Sequence, residues 1–241
     1  MAQPYFVNEF GARNILSNPR LAAVIPAFNE GRSIEDLVRL VNQRALAIVV
    51  DDGSTDATAT LAEKAGAFVV SHTVNRGYDA ALETGIRTAM SLGCIFAVTM
   101  DADGQHDPAL LDRFKVELET GADLIVGERD RTQRWSEKLF SSVSRFLWAV
   151  NDPLCGMKGY RLKILKNESD LNSYLSIGTE LTIRAVKAGV KITQLPVQTK
   201  PREGLSRFGS GLKANMQIIK ALLYGLMFAR SLIQNNLTKL N

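Results

Sequence analysis

The 241-residue sequence predicts an α/β fold in which a mainly parallel β-sheet carries helices on both faces. Short β-branched runs alternate with helical patterns over the first 127 residues, and this alternation is typical of βαβ units. Several of the runs end abruptly in polar or acidic residues, as strands of an open sheet do where a ligand binds. An apolar content of 46% is sufficient for the core that such a fold needs.

The candidate elements follow one another along the chain. Strands are predicted at residues 21–26, 46–50, 67–71, 95–100 and 123–126, with helices at 32–42, 56–65, 78–92 and 108–119. Beyond residue 127 the sequence predicts a helix at 131–150, a glycine-rich irregular stretch at 152–159, a helix at 179–188, a strand at 191–197, a basic loop at 199–210 and a last helix at about 212–232. We therefore predict an N-terminal extension (1–20), an α/β domain (21–210) and a C-terminal amphipathic helical region (211–241).

The helix predicted at 131–150 has an apolar side, with Lys138 and Arg145 off it. That side consists of Trp135, Leu139, Val143, Phe146, Leu147 and Val150. Such a stripe is most often the face that packs on a core. The alternative is an interfacial helix whose apolar face lies against a bilayer.

The formal net charge of +4 hides an asymmetry along the chain. Residues 1–127 carry 10 Lys and Arg against 17 Asp and Glu, whereas residues 128–241 carry 19 against 8. The first part therefore suits cations, and the second suits phosphates or a lipid surface. Nucleic acid is not expected as a partner, because the basic residues are scattered and no aromatic stacking platform accompanies them.

Nothing in residues 1–20 resembles an apolar signal segment, and no run reaches the roughly 18 apolar residues of a spanning helix. Cys94 and Cys155 form neither a disulfide framework nor a metal-ligand spacing, so we expect plain thiols in a reducing compartment. The expected location is cytoplasmic, peripheral on the cytoplasmic face of a membrane. The oligomeric state is left open, a homo-oligomer included.

The most informative segment covers residues 98–108, where an apolar run ends in Asp101 and Asp103. On an extended backbone these two carboxylates point to the same side. Together with the amide of Gln105 they offer hard oxygen ligands for a divalent cation that also holds phosphates. The alternative is an acidic turn before a helix, since Asp107 followed by Pro108 is a good helix start.

Polar side chains also follow the first two strands. Pro26 is expected to stop ladder pairing at the tip of the first strand, where Phe28 offers a stacking face and Glu30 offers polar contacts to a ribose or base. The second strand ends in Asp51 and Asp52, and a carboxylate there can accept from a uracil N–H or from ribose hydroxyls. A first-turn acid and helix caps are the structural alternatives.

Weaker signals lie further along the chain. Gly77 opens a helix whose N-terminus favours an anion, and Arg129 could clamp a diphosphate in bidentate fashion. The basic loop could close over a phosphorylated substrate. Each signal is equally typical of a solvated or structural residue. His72 and His106 pair with no Ser or Cys nucleophile, so we interpret them as hydrogen-bonding or surface histidines.

Four blocks, in this order and spacing, resemble the inverting GT-A fold glycosyltransferases of family 2 over roughly residues 20–210. They are IPAFNE (25–30), VDDGSTD (50–56), DADGQH (101–106) and DPLCGM (152–157). The sequence most resembles the polyprenyl-phosphate (dolichyl-phosphate) mannose, glucose or N-acetylglucosamine synthases. The resemblance implies a Rossmann-like GT-A fold for nucleotide-diphospho-sugar transfer.

At the donor, the resemblance implies a nucleoside pocket and a metal site. The pocket would be lined by Pro26, Phe28, Glu30 and Asp52. Asp101, Asp103 and Gln105 would hold Mg²⁺ or Mn²⁺ on the nucleotide diphosphate, with Asp101 also contacting substrate and Asp103 counted as catalytic.

The resemblance further implies that Arg129 contacts phosphate and that Asp152 and the following turn lie near the acceptor, with both residues counted as catalytic. It also implies that Arg202 and Arg207 bind substrate from a mobile basic loop. The sequence departs from the family at several positions. Tyr78-Asp79 replaces the usual Lys-Gly, Glu128 replaces a Ser and Arg207 replaces a Lys.

The reaction implied is a metal-dependent, inverting transfer from a UDP- or GDP-sugar to a polyprenyl phosphate. A phosphate monoester has a second pKa of about 6 and needs no strong base. A sugar hydroxyl would need one, with Asp152 as the candidate. The alternatives are transfer to a hydroxyl of a saccharide or glycolipid, and a non-catalytic protein that binds nucleotide sugar or lipid. A nucleotidyltransferase is disfavoured, because no N-terminal glycine-rich, arginine-containing triphosphate loop is present.

Overall fold

A seven-stranded sheet lies at the centre of the molecule. The structure, a computed structural model, describes residues 20–130, 134–165, 171, 177–199, 215–216 and 218–227. The strands are β1 (Leu21–Ala27), β2 (Leu46–Asp51), β3 (Phe68–Ser71), β4 (Phe96–Thr99), β5 (Leu124–Arg129), β6 (Lys158–Arg161) and β7 (Ile192–Val197). Their spatial order is β3-β2-β1-β4-β6-β5-β7. Only β6 runs antiparallel to its neighbours, so the predicted α/β fold with a mainly parallel sheet is confirmed.

Helices cover both faces of this sheet. They are α1 (Ile34–Val41), α2 (Thr58–Lys64), α3 (Tyr78–Ser91), α4 (Leu110–Glu119), α5 (Trp135–Trp148) and α6 (Ile177–Lys187). A 3₁₀ turn (Leu162–Leu165) follows β6, and residues 215–216 and 218–227 are helical. Among the residues described, no helix is long and apolar enough to cross a membrane.

The strand order reverses between β1 and β4. Strands β2 and β3 are added on one side of β1, whereas β4 pairs with its other side. In an open α/β sheet, ligands bind outside the carboxyl ends of the strands at such a switch point. The expectation that Pro26 stops ladder pairing is wrong for β2, because pairing of β1 with β2 continues through Pro26 to Ala27. Pairing of β1 with β4 does end earlier, at Val24.

The core consists of two apolar layers, one on each face of the sheet. Alternate residues of β1 point to opposite faces, as a pleated strand requires: Ala23 and Ile25 join the first layer, Ala22 and Val24 the second. The first layer packs α1, α2 and α4 on the sheet. The second packs α3, α5, α6 and the C-terminal helical residues. Every residue of β1 and β2 is buried, which explains their continuous apolar sequence.

Strand β6 is absent from the elements predicted above, because residues 152–159 were interpreted as an irregular glycine-rich stretch. The strand has only four residues, and two of them, Lys158 and Arg161, are cations. Such a segment carries no β-branched pattern from which a strand could be predicted. It forms because β4 and β5 pair with it from both sides.

The core-facing interpretation of the apolar side predicted at 131–150 is correct for Val143, which packs partly buried on the second layer, and for Val150, which is buried just beyond α5, but it is wrong for the other four residues. Trp135, Leu139, Phe146 and Leu147 are exposed. The buried face consists instead of Ser136, Glu137, Phe140, Ser144 and Trp148. A pattern of apolar residues cannot by itself distinguish a core from another apolar environment. Here the buried face includes Ser136, which bonds Asn215, and Glu137, which contacts Arg129.

Candidate active site

The loops that follow β1 and β2 are fastened to each other by side-chain hydrogen bonds. The backbone N–H of Asn29 donates to Ser54 Oγ over 2.9 Å, and the Asn29 side-chain oxygen accepts from the backbone N–H of Thr55 at the same distance. Asn29 adopts a left-handed backbone with φ of 55°, which Asn tolerates better than most residues. This arrangement leaves Phe28 exposed at the tip of β1, available for stacking.

Asp56 extends this link to the start of α1. Its carboxylate accepts from the backbone N–H of Gly31 over 3.1 Å and of Thr58 over 3.0 Å, and Thr58 also donates its hydroxyl to it. Burial alone would raise the pKa of Asp56, but these hydrogen bonds outweigh that effect and lower the pKa. The backbone N–H of Glu30 donates to Thr58 Oγ1 over 2.9 Å. The polar residues of both loops are thus largely committed to fixing the loops.

Asp52 is buried and accepts three hydrogen bonds. Its Oδ1 lies 2.6 Å from His72 Nδ1 and accepts from the backbone N–H of Arg76 over 2.9 Å, and its Oδ2 accepts from that of Gly77 over 2.8 Å. His72 in turn lies 3.0 Å from Thr84 Oγ1, which agrees with its interpretation as a hydrogen-bonding histidine. The carboxylate therefore anchors the loop that leads into α3.

The neighbouring Asp51 differs from Asp52. Its side chain is also buried, but its Oδ1 has no hydrogen-bond partner within the part of the chain that the structure describes. A buried carboxylate oxygen without a donor is costly. Asp51 therefore marks a position at the end of β2 where a donor from a bound molecule would be stabilising.

The acidic loop after β4 is held from three directions. The hydroxyl of Tyr78 donates to Asp101 Oδ1 over 3.0 Å, and the backbone N–H of Asp101 donates to His106 Nδ1 over 3.2 Å. On the remaining side, Gly156 lies so close that a Cβ there would come within 2.8 Å of Asp101 Oδ2. Tyr78 belongs to the pair that replaces the family's Lys-Gly, so this departure supplies a contact to the acidic loop.

Asp103 is buried in the same loop, and its Oδ1 accepts from the backbone N–H of Gln105 over 3.1 Å. Ser33, at the start of α1, donates to the carbonyl oxygen of Ala102 over 2.7 Å, so this loop is also joined to the loop after β1. No cluster of three His, Cys, Asp or Glu side chains that could hold a metal occurs among the described residues. Two carboxylates and an amide fit Mg²⁺ or Mn²⁺ only if substrate phosphates and water complete the coordination, as is usual for Mg²⁺.

Arg129 and Asp152, predicted separately from the sequence, form a bidentate ion pair. Arg129 Nε donates to Asp152 Oδ2 over 2.7 Å, and Nη2 donates to Oδ1 over 2.9 Å. Glu137 approaches the same guanidinium to 3.5 Å from the first turn of α5. Burial alone would lower the pKa of Arg129, but its bond to Asp152 raises it, so the guanidinium stays charged. Both carboxylate oxygens of Asp152 are occupied by this contact.

The buried Lys158 was not singled out from the sequence. It opens β6, and its ammonium group donates to the carbonyl oxygen of Cys155. Burial lowers the pKa of Lys158, although the nearby Cys155 and Asp152 oppose the shift. Burial also raises the pKa of the Cys155 thiol to about 11, so this cysteine is not reactive near neutral pH. Both cysteines are free thiols, as predicted.

Asp79, the second residue that departs from the family pattern, joins two helices. Its Oδ1 accepts from the backbone N–H of Ile177 over 2.9 Å, so the first turn of α3 is fixed to the first turn of α6. Burial raises the pKa of Asp79, while the bond from Ile177 and the charge of Lys158 partly oppose the shift. The role of Asp79 is visible only in the structure, because it depends on a contact between two segments that lie far apart in sequence.

Most of the predicted site residues share one edge of the sheet. The turn 152–156 connects the Arg129–Asp152 pair to Asp101, and Ser33 connects the acidic loop to Phe28 and Glu30. The loop after β7 reaches the same edge, where Thr199 pairs with His106. Arg202 and Arg207 lie outside the described residues, so their contribution stays a prediction.

The fold and its acidic edge define the chain as a GT-A fold glycosyltransferase. The family model described as "Glycosyl transferase family 2" matches residues 22–167, and the chain belongs to this family. It is therefore an enzyme that transfers a sugar. The resemblance found in the sequence is confirmed.

Two curated relatives and one solved structure show the range of the similarity. The polyprenol monophosphomannose synthase of Mycolicibacterium smegmatis is 31% identical over 82% of this chain and 84% of its own length. The dolichyl-phosphate hexose transferase of Haloferax volcanii is 28% identical over 84% of this chain and 94% of its own. Glucosyl-3-phosphoglycerate synthase from Mycobacterium tuberculosis, in complex with Mn²⁺, UDP and phosphoglyceric acid, superposes with a TM-score of 0.68 at 22% identity, over 93% of this chain and 84% of that one.

Proposed function

We propose that the protein transfers a hexose from a UDP- or GDP-sugar to a polyprenyl phosphate, with inversion at the anomeric carbon. The observation that carries the choice of acceptor is the bidentate contact between Arg129 and Asp152. A sugar hydroxyl would need a free carboxylate as a base, whereas both oxygens of Asp152 are engaged. The polyprenol and dolichyl-phosphate relatives support the same choice by their names.

On the donor side, each residue has a role that follows from its position. Phe28 stacks on the nucleobase, and Pro26 and Glu30 line the same side of the nucleoside pocket. Asp51 accepts a hydrogen bond from the nucleoside through its unpaired Oδ1, while Asp52 supports the pocket by holding the loop before α3. Asp101, Asp103 and Gln105 would hold Mg²⁺ or Mn²⁺, which supplies positive charge to the departing diphosphate.

On the acceptor side, the negative charge of the lipid phosphate makes one of its oxygens the nucleophile. A phosphate oxygen of the lipid attacks the anomeric carbon, and the bond from that carbon to the diphosphate breaks, releasing the nucleoside diphosphate. The acceptor is already anionic near neutral pH, with a second pKa of about 6, so no proton has to be removed first. Arg129, oriented by Asp152, attracts the phosphate, and Arg202 and Arg207 close over it.

A polyprenyl phosphate resides in a membrane, so the enzyme must reach a membrane surface to use it. The protein is therefore proposed to work as a peripheral protein on the cytoplasmic face. The basic second half of the chain, with 19 Lys and Arg against 8 Asp and Glu, supports attraction to anionic lipids.

The test is a transfer assay with labelled UDP- and GDP-sugars, Mn²⁺ or Mg²⁺, and three acceptors: a short polyprenyl phosphate, the same polyprenol without its phosphate, and a saccharide. We expect product only on the polyprenyl phosphate, with the opposite anomeric configuration to the donor by NMR. Product on the saccharide alone would reject the proposed acceptor. Intact nucleotide binding without turnover on any acceptor would indicate a binding protein instead.

A further inference from the structure

We infer that the outward faces of α5 and of the C-terminal helical residues 215–216 and 218–227 form one membrane-docking surface for anionic lipid. This inference rests on the proposed function, because it names the part of the molecule that meets the membrane. The surface is formed by exposed apolar and cationic side chains. They are Trp135, Lys138, Leu139, Arg145, Phe146, Leu147, Met216, Lys220, Leu223, Tyr224 and Met227.

The exposed residues of α5 form a continuous stripe. Trp135, Leu139 and Phe146 follow one another at spacings of four and seven residues, which places them on one face of a helix. Their exposed fractions are 61%, 43% and 87%. Lys138 and Arg145 lie beside the stripe, seven residues apart. An apolar stripe with cations at its side is the pattern of a helix that lies in a lipid interface.

The C-terminal helical residues continue this surface. Ser136, near the start of α5, donates to Asn215 Oδ1 over 2.6 Å, and a Cβ on Gly225 would lie 3.4 Å from the indole of Trp148 at the end of α5. The two helices therefore run side by side in the same direction. Ile218 and Leu222 face the core, which leaves Met216, Leu223 and Met227 on the outside with Lys220 among them.

Three observations favour a bilayer over a second copy of the chain. Tyr and Trp side chains with cations beside them suit the headgroup region, where one end of each ring is apolar and the other is hydrated. The half of the chain that contains this surface has a large excess of positive charge, which repels the same face of a second copy and attracts anionic lipid. Finally, Glu137 on the first turn of α5 contacts Arg129, so the surface begins beside the acceptor site.

This last contact explains how a lipid phosphate could enter the site. A polyprenyl chain that stays in the bilayer needs a phosphate-binding group close to the interface. Trp135 lies two residues from Glu137, and Glu137 lies on Arg129, which is paired with Asp152. The docking surface thus places the proposed acceptor site at the level of the lipid headgroups.

The two tryptophans of the chain permit a direct test, since Trp135 is exposed whereas Trp148 is 7% exposed. In the full-length Trp148→Phe variant, Trp135 is the single reporter. We expect its fluorescence to shift to the blue with vesicles of phosphatidylcholine and phosphatidylglycerol, to be quenched by brominated lipid, and to respond less at high salt. An unchanged emission spectrum at saturating vesicle concentration would overturn the inference.

A second experiment compares two leucines whose side chains are equally exposed. Leu139 and Leu40 are 43% and 45% exposed, but Leu40 lies on α1, on the opposite layer of the sheet. We expect the double variant Leu139→Ser, Phe146→Ser to weaken vesicle co-sedimentation roughly tenfold or more, whereas Leu40→Ser leaves it unchanged. Equal binding of all three proteins would contradict the assignment.

Two further results separate this inference from its alternatives. Transfer to a short, detergent-dispersed polyprenyl phosphate should persist in the double variant, because the catalytic residues are untouched. If vesicle binding is intact but no lipid phosphate is ever glycosylated, the proposed function fails and the docking surface stands. If ultracentrifugation shows a dimer that the double variant abolishes and that does not bind vesicles, the surface is an interface between two copies instead.

Discussion

The proposed donor and acceptor sides of the candidate active site are built in different ways. The donor side consists of short segments that directly follow β1, β2 and β4, and within each segment the important residues are neighbours in sequence. The proposed acceptor side depends on a pair that joins distant segments, Arg129 with Asp152, and the contact of Asp79 with Ile177, which fixes α3 to α6, is of the same kind. The first can be recognised from a local motif, whereas the second becomes visible only in three dimensions.

The largest effect is expected at the centre of the donor side. Asp103→Asn should lower turnover by roughly 10³-fold, because the loss of metal-assisted charge stabilisation costs several kcal/mol. The measurement is steady-state transfer with Mn²⁺ titrated from limiting to saturating concentration. The control is Asp107→Asn in the same segment, where the carboxylate accepts from the backbone N–H of Ala109 just before α4. If Asp103→Asn keeps normal turnover, the metal site lies elsewhere.

The second prediction concerns the point where the two sides touch. Gly156→Ala would place a Cβ 2.8 Å from Asp101 Oδ2, and displacement of that carboxylate should lower kcat by about 10²-fold. In the control, Gly225→Ala, the nearest atom to the new Cβ is Ile183 Cδ1, at 3.2 Å in the second apolar layer. We expect near-normal kinetics for this control. Equal kinetics of the two variants would show that Asp101 does not need its present position.

The acceptor side should respond differently to the loss of a carboxylate. Asp152→Asn weakens the orientation of Arg129 and should raise the KM for the lipid phosphate by about tenfold. The acid limb of the pH–rate profile should stay in place, because the second pKa of the acceptor phosphate, about 6, sets it. The control is Asp123→Asn, which removes another Asp–Arg contact, at Arg161. If Asp152→Asn instead loses the acid limb of the pH–rate profile together with most of kcat, Asp152 acts as a base.

A smaller effect is expected from Tyr78, which connects the two sides. Tyr78→Phe removes the hydroxyl that donates to Asp101 Oδ1, and should weaken Mn²⁺ binding in the presence of UDP by about threefold to tenfold. Isothermal calorimetry measures this affinity independently of turnover. Tyr224→Phe on the exposed face of the C-terminal helix is the control. Identical calorimetric traces for Tyr78→Phe and the wild type would show that the hydroxyl has no influence on the metal.

The fold was largely predictable, because strands that are buried on both faces have continuous apolar sequences. β1 and β2 are buried throughout, and both were predicted to within a residue. β6 was not predictable, since its four residues form a strand only through their neighbours on both sides. The outward face of α5 was mispredicted for a related reason: periodicity shows that a face is apolar but not what covers it.

For the candidate site, the sequence predicted which residues lie at strand ends. It did not predict which side chains these residues contact. Asp101, Asp103 and Arg129 occur where the sequence placed them, at the carboxyl edge of the sheet. That Asp152 is paired with Arg129 could not be known, because 22 residues and the whole of α5 separate them in the chain. The buried Lys158 carried no signal, since a cation in a short polar segment is normally exposed.

The smallest expected effect concerns the pH dependence of stability at Asp79, whose contact with Ile177 joins two segments that lie far apart in sequence. Burial raises its pKa above the usual 3.8, although Ile177 and Lys158 oppose the shift. The native state therefore holds this proton more tightly than the unfolded chain. The stabilisation that results is complete below 3.8 and is lost as the pH rises through the raised pKa.

Asp79→Asn removes this titration but keeps an oxygen for the backbone N–H of Ile177. We therefore expect the variant to gain in free energy of unfolding relative to the wild type as the pH increases from acid to neutral, measured by urea denaturation across that range. Asp112→Asn, whose carboxylate is 64% exposed on α4, is the control and should show no such trend. A difference that stays constant with pH would contradict the prediction, because it would mean that the pKa of Asp79 is the same in the native and the unfolded chain.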